Sequence, residues 1–157
     1  ETGRGSCVLV CEHAGNRLPK ALGNLGLTEQ DLKAHIAWDI GAERVARLLS
    51  RLIDAPLILQ RYSRLAYDCN RPLDSAGAMP DVSEATVIPG NRNLLPAQRL
   101  SRTRAIYQPF HAAIADLLLE LPRTEQAVLV VVTHSAGLAA RFERRLEMND
   151  GRLVPLA

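Results

Sequence analysis

Residues 7–16 read CVLVCEHAGN: an unbroken apolar run, Cys7–Cys11, that gives way at once to Glu12-His13-Ala14-Gly15-Asn16. A short continuous apolar segment of this kind has the pattern of a strand buried on both faces. Ala55–Leu59 repeats it, Leu65–Tyr67 offers a third candidate strand, and Ala127–Val132 (AVLVVV) is the clearest of all, ending in Thr133-His134-Ser135. Between them the apolar period changes to that of a helix. Ile36, Ile40, Val45, Leu48, Leu49 and Leu52 recur at helical spacing over about 31–53, with the helix proper expected to begin near Asp39 as N-cap. A second helix is expected from about Pro96 to Leu121, kinked at Pro109, and a short third one through Ala139–Leu146. Residues 70–96, rich in Pro, Gly, Asp, Ser and Asn, read as one long irregular connection. Buried strands alternating with helices predict an α/β domain around a mostly parallel sheet.

Composition sets the outer limits. The 157 residues carry 19 basic and 17 acidic side chains, a net charge of +2, with no basic stripe of the kind that grips nucleic acid. Hydrophobic residues make up 47%, enough for a core and too many for disorder. No apolar run approaches the ~18 residues of a membrane span, and no signal segment opens the chain. Cys7, Cys11 and Cys69 are an odd, sparse set without a C-x-x-C pair, which fits reduced core thiols in a cytoplasmic protein. A single domain over 1–157 is expected, with residues 1–6 as a frayed end.

The chemistry gathers where apolar runs stop. In open α/β sheets ligands bind beyond the carboxyl ends of the strands, and Glu12-His13, Asp68-Cys69-Asn70-Arg71 and His134-Ser135 all stand at such ends. Two of the four histidines on one rim, with carboxylates nearby, suit a catalytic zinc site that keeps a position open. Thr133-His134-Ser135-Ala136-Gly137 imitates the nucleophile elbow of α/β-hydrolases. In that fold, however, the catalytic histidine follows the serine, whereas His13, His35, His111 and His134 all precede Ser135. A serine hydrolase is therefore a distant alternative. Arg61, Arg64 and Arg71 offer planar donors to carboxylates, and Asn70 adds a further donor, so an anionic small molecule is the expected partner.

These motifs together carry a resemblance. Glu12-His13-Ala14-Gly15 with Pro19, His35-Ile36-Ala37-Trp38-Asp39-Ile40-Gly41-Ala42, Ser63 through Pro72, Pro89-Gly90-Asn91-Arg92, Tyr107-Gln108-Pro109-Phe110-His111 and His134-Ser135 follow in order. The set resembles the N-formylglutamate amidohydrolase family, similar in architecture to zinc carboxypeptidases and aspartoacylases. The resemblance implies a three-layer α/β/α fold of the phosphorylase/hydrolase type, with a mostly parallel, mixed sheet. It implies zinc held by His13, His134 and a third ligand. Asn16 stands where the related hydrolases carry glutamate. Asp39 is the choice because the family's Trp-Asp element matches and a helix start can aim a carboxylate into a site, with Glu12 as the other candidate. Asn70 and Arg71 would clamp a substrate carboxylate, with Asp68 positioning Arg71 and Ser135 beside the substrate. Arg64 would meet the second carboxylate or the developing oxyanion, and Glu147 would be the proton carrier. His111 reads as a packing residue.

The expected activity is metal-dependent hydrolysis of N-formyl-L-glutamate to formate and glutamate. A deacylase of other specificity and a non-catalytic carboxylate-binding module are the alternatives. Only 13 positions separate His134 from Glu147, and Ala136-Gly137-Leu138 replaces the family's usual continuation, so residues 136–157 read as abbreviated.

Overall fold

Strand β1, Leu9–Cys11, lies parallel to β2, Leu57–Leu59, in the register Leu9↔Leu57 and Cys11↔Leu59. A parallel pair needs a long crossover, and here it carries helices α1, Glu29–Lys33, and α2, Ala42–Leu52. The computed structural model describes residues 3, 7–125, 139–149 and 152–155, in two compact units, Glu1–Ala113 and Ile114–Ala157. In the first unit the pairing continues beyond both strands. The Gln60 amide donates to the Cys11 carbonyl (2.9 Å), and Arg17 bridges to Tyr62. Gly15 lets the His13 loop lie against this extension: a Cβ there would come within 2.4 Å of the Arg61 carbonyl oxygen.

The stretch of helical spacing over 31–53 holds the end of one helix and the whole of a second. α1 is capped by Thr28, whose hydroxyl accepts from the Asp31 amide while the Asp31 carboxylate accepts from the Thr28 amide. α2 starts only after Gly41, whose φ of 88° turns the chain into the helix. Gly41, and not Asp39, is thus the N-cap, and the Asp39 carboxylate remains available elsewhere. Nor does the apolar face of α2 turn wholly inward. Val45, Leu48, Leu49 and Leu52 are exposed, and Ser50 is the buried residue, its hydroxyl donating to the Ala55 carbonyl (2.7 Å).

The main core lies beneath the loops. Leu25, Leu27, Ile36, Ala37, Leu65 and Ile88 are buried together, with Leu18, Leu22, Leu32, Ala34 and Trp38 packed around them. Leu65–Tyr67 are fully buried but form no strand. Ser63 bends them into a turn: its hydroxyl accepts from the Leu65 amide and donates to the Ala37 carbonyl, while its carbonyl accepts from the Ala66 amide. The long connection that follows is irregular as expected, apart from 3₁₀ turns and an antiparallel pair of β3, Val82–Ser83, with β4, Thr86–Val87.

The helix expected from Pro96 becomes α3, Pro96–Arg102, a π turn, Thr103–Tyr107, and α4, Gln108–Glu125. Proline lacks an amide and crowds the carbonyl four residues back, so widening the turn ahead of Pro109 relieves both problems.

In the second unit β5, Leu146–Asn149, pairs antiparallel with β6, Arg152–Pro155. No helix runs through 139–146: the chain turns after Ala139, and Leu146 already belongs to β5. The expected strand Ala127–Val132, together with His134 and Ser135, lies outside the described residues. Among the described residues the sheets are one parallel and two antiparallel pairs, mixed with helices as in an α/β class, and only β1–β2 shows the expected parallel pairing. No described helix is long and apolar enough to cross a membrane.

Candidate functional site

His13 follows β1 by two residues and is buried, held there by its own backbone: its carbonyl accepts from the Asp39 amide (3.0 Å). That hydrogen bond brings the loop ahead of α2 to the carboxyl end of the strand pair. Ser63 and Arg64 are tied to the same loop through the Ala37 carbonyl. Three segments distant in sequence thus meet around one imidazole.

Both ring nitrogens face carboxylates. Nε2 is 2.7 Å from Oδ1 of the buried Asp68, and Nδ1 is 3.3 Å from Oδ2 of the half-exposed Asp39. Arg64 spans the two acids, with Nη1 3.4 Å from Asp39 and Nη2 3.3 Å from Asp68. The Arg71 Nε lies 3.7 Å from Asp68, and the Asn70 amide donates to it at 3.0 Å. The hydrogen bond to Asp68 raises the pKa of His13 above its usual value, against the opposing effect of burial. Burial pushes the Asp68 carboxyl up, but the bonds from His13 and Asn70 and the charge of Arg64 outweigh it and hold the acid ionised.

Asp68 is the residue whose role the sequence reading placed differently. The ion pair with Arg71 is there, but the closer partner is His13. A carboxylate that fixes one imidazole nitrogen selects the tautomer and aims the other, the arrangement found behind metal-binding histidines. The signal lay in Asp68 standing at the end of a buried segment, ahead of Asn-Arg. Arg64 is engaged by two carboxylates, while Asn70 and Arg71 reach solvent.

The donor set can be tested against a metal. His13 Nδ1 and Asp39 Oδ2, 3.3 Å apart, match the ligand–ligand edge of about 3.4 Å of a tetrahedral zinc with bonds near 2.1 Å. Asp68 lies at the opposite ring nitrogen and does not converge with them. Among the described residues no group of three His, Cys, Asp or Glu side chains is placed to hold a metal. Of the other expected ligands and carriers, His134 and Ser135 lie outside the described residues, and Glu147 sits exposed on β5, paired across the hairpin with Val154. His35 is a surface residue 2.9 Å from Glu84.

Two further residues brace the site from below. Asn91 is buried, and its side-chain amide donates to the carbonyls of Leu65 (2.8 Å) and Pro80 (2.7 Å). The buried Arg102 of α3 donates to Asn91 Oδ1 (2.6 Å) and to the carbonyls of Ala66 and Gly90. The Asn91-Arg92 motif therefore works through its asparagine as a latch under the Leu65–Asp68 turn. Arg102 had no distinguishing signal in the sequence, because a helical arginine is ordinarily solvated.

The class follows: an α/β protein with a histidine, two carboxylates and two arginines gathered where parallel strands end. The chain belongs to the N-formylglutamate amidohydrolase family, whose model matches residues 5–153. It is similar in structure to gene product Atu2144 from Agrobacterium tumefaciens, with 49% identity and a TM-score of 0.75 over 77% of this chain and 48% of that one. It thus spans about half the length of that relative. Shorter matches connect it with the lipoprotein-releasing system ATP-binding protein LolD. In Xanthomonas euvesicatoria the identity is 50% over 44 residues, covering 28% of this chain and 18% of the relative. In Syntrophus aciditrophicus it is 46% over 44 residues, covering 28% and 20%.

Proposed function

We propose that the chain acts on N-formyl-L-glutamate, or a close N-acyl amino acid, hydrolysing its amide to formate and glutamate. The observation that carries the reading is His13 held from behind by Asp68 at 2.7 Å, with its Nδ1 3.3 Å from Asp39 Oδ2, within a chain of this family. His13 and Asp39 would hold the metal, with His134 as the third ligand. A zinc ion bound there supplies Lewis-acid polarisation of the amide carbonyl and of the attacking water. Arg71 and Asn70, exposed beside the buried acid, receive the substrate's α-carboxylate. Arg64 faces its second carboxylate or the charge that develops on the amide oxygen. Glu147 is the proton carrier of this reading, passing a proton to the leaving amine. The three-layer α/β/α sheet of the phosphorylase/hydrolase type is the frame it implies around β1 and β2.

The test is formate release from N-formyl-L-glutamate by zinc-loaded protein, with chelated protein and His13→Ala as controls. Zinc-dependent release that His13→Ala lacks supports the reading. Tight binding of the substrate without turnover identifies a carboxylate-binding module instead.

A second reading concerns the second unit. The LolD matches run over 44 residues, and Ile114–Ala157 is a compact stretch of the same length. On this reading that unit is related to a segment of the ATP-binding proteins, and the amidohydrolase chemistry belongs to Glu1–Ala113 alone. His134, Ser135 and Glu147 then take no part in it. The sequence contains no G-x-x-x-x-G-K-[ST] loop, so nucleotide binding is not included. Zinc stoichiometry of His134→Ala separates the two: loss of zinc supports the three-ligand site, full retention the composite chain.

A further inference from the structure

His111 stands on the first turn of α4, just past the π turn, and its surroundings are those of a working residue. Its Nε2 is 3.1 Å from the carbonyl oxygen of Cys69. The Tyr107 ring lies against it at a 34° tilt with centroids 4.0 Å apart, Tyr67 lies 5.2 Å from Tyr107, and Phe110 meets it edge-on at 5.5 Å. The imidazole is fixed on several sides. Burial lowers its pKa below the ordinary value, so the neutral ring persists at pH 7, with Nε2–H donating to the carbonyl.

Cys69 is the residue between Asp68 and Asn70-Arg71. It is buried, and Gln60 donates to its sulfur (3.3 Å). His111 therefore secures the backbone where the chain leaves the buried acid and emerges as the exposed Asn70-Arg71 pair. The π turn matters here: by shifting the register after Tyr107 it sets which face of α4 meets this carbonyl.

We infer that His111 is a positioning residue for carboxylate recognition, holding the Cys69 carbonyl so that Asn70 and Arg71 project in a fixed orientation. The inference rests on the reading of Asn70-Arg71 as the substrate clamp. A preorganised clamp spends less of its binding energy on ordering, so loosening Cys69 should weaken binding without removing any group that touches the ligand.

The experiment is calorimetric titration of the zinc-loaded full chain with L-glutamate and N-formyl-L-glutamate. Wild type, His111→Ala, His111→Gln, Arg71→Ala and the double variant His111→Ala with Arg71→Ala are compared, with melting curves for each. His111→Ala should weaken affinity roughly tenfold. His111→Gln, whose amide can donate to the same carbonyl, should recover most of it. Adding His111→Ala to Arg71→Ala should cost nothing further. Unchanged affinity in His111→Ala, or a loss that Gln does not recover and that persists without Arg71, overturns the proposal and leaves His111 a packing residue. Should the alanine variant fail to fold, His111→Gln decides alone: near-native affinity supports the role, and weak binding with native melting, or failure to fold, overturns it. Should Arg71→Ala itself leave affinity unchanged, it is the clamp that fails.

Discussion

Asp68 is hydrogen-bonded to an imidazole, a backbone amide and the Arg64 guanidinium, with the Arg71 guanidinium 3.7 Å away, while almost wholly removed from water. Replacing it by Asn keeps the shape but removes the charge that orients His13, and by analogy with other residues behind metal-bound histidines should lower zinc affinity about 10–100-fold. Competition against a chromophoric chelator measures this, and unchanged affinity would mean that His13 is not aimed by Asp68. Arg71→Ala should raise KM for N-formyl-L-glutamate far more than it lowers kcat. Equal rates at all substrate concentrations would remove Arg71 from the clamp. Cys69, buried with a thiol pKa pushed up to about 11 by desolvation, should resist iodoacetamide at pH 8 while the exposed Cys7 reacts. Peptide mapping after a timed pulse shows which is modified first.

Elements were legible where local pattern decides and illegible where tertiary contacts do. The runs at Cys7–Cys11 and Ala55–Leu59 point to β1 and β2, although β1 is only half-buried. Leu65–Tyr67 looked the same, yet Ser63 supplies side-chain partners that compete with a sheet ladder and turn the chain instead. The start of α2 was misplaced because Asp39 is a good cap by type, whereas Gly41 supplies the positive φ the turn needs. Of the residues gathered here, the sequence motifs single out His13, Asp39, Arg64, Asp68 and Arg71. The bond joining His13 to Asp68 spans 55 positions and has no local signature. At this scale the Asn91–Arg102 latch is the weak point. Asn91→Ala leaves a buried guanidinium and two carbonyls short of partners and should destabilise by about 3 kcal/mol. Urea unfolding checks it, and a change under 1 kcal/mol would show that water replaces the amide. His111 gives the pH dependence. Its folded-state pKa lies below the unfolded value, so its contribution is present above ~6.5 and lost as pH falls through the folded value. His111→Gln should flatten that acid limb.

At the scale of the whole molecule, the carboxyl ends of β1 and β2 are the organising feature. They bring together His13, Asp39, Arg64, Asp68 and Arg71 from Glu1–Ala113, and the family match runs over residues 5–153. The chain covers about half of its relative from Agrobacterium tumefaciens, so the question at this scale is whether the gathered residues suffice for turnover. The most direct measurement is formate release from N-formyl-L-glutamate by the zinc-loaded chain beside its His13→Ala variant. The expected result is one formate per glutamate formed, dependent on zinc and absent from the variant. Equal release by the variant, or none by the zinc-loaded wild type, would contradict it.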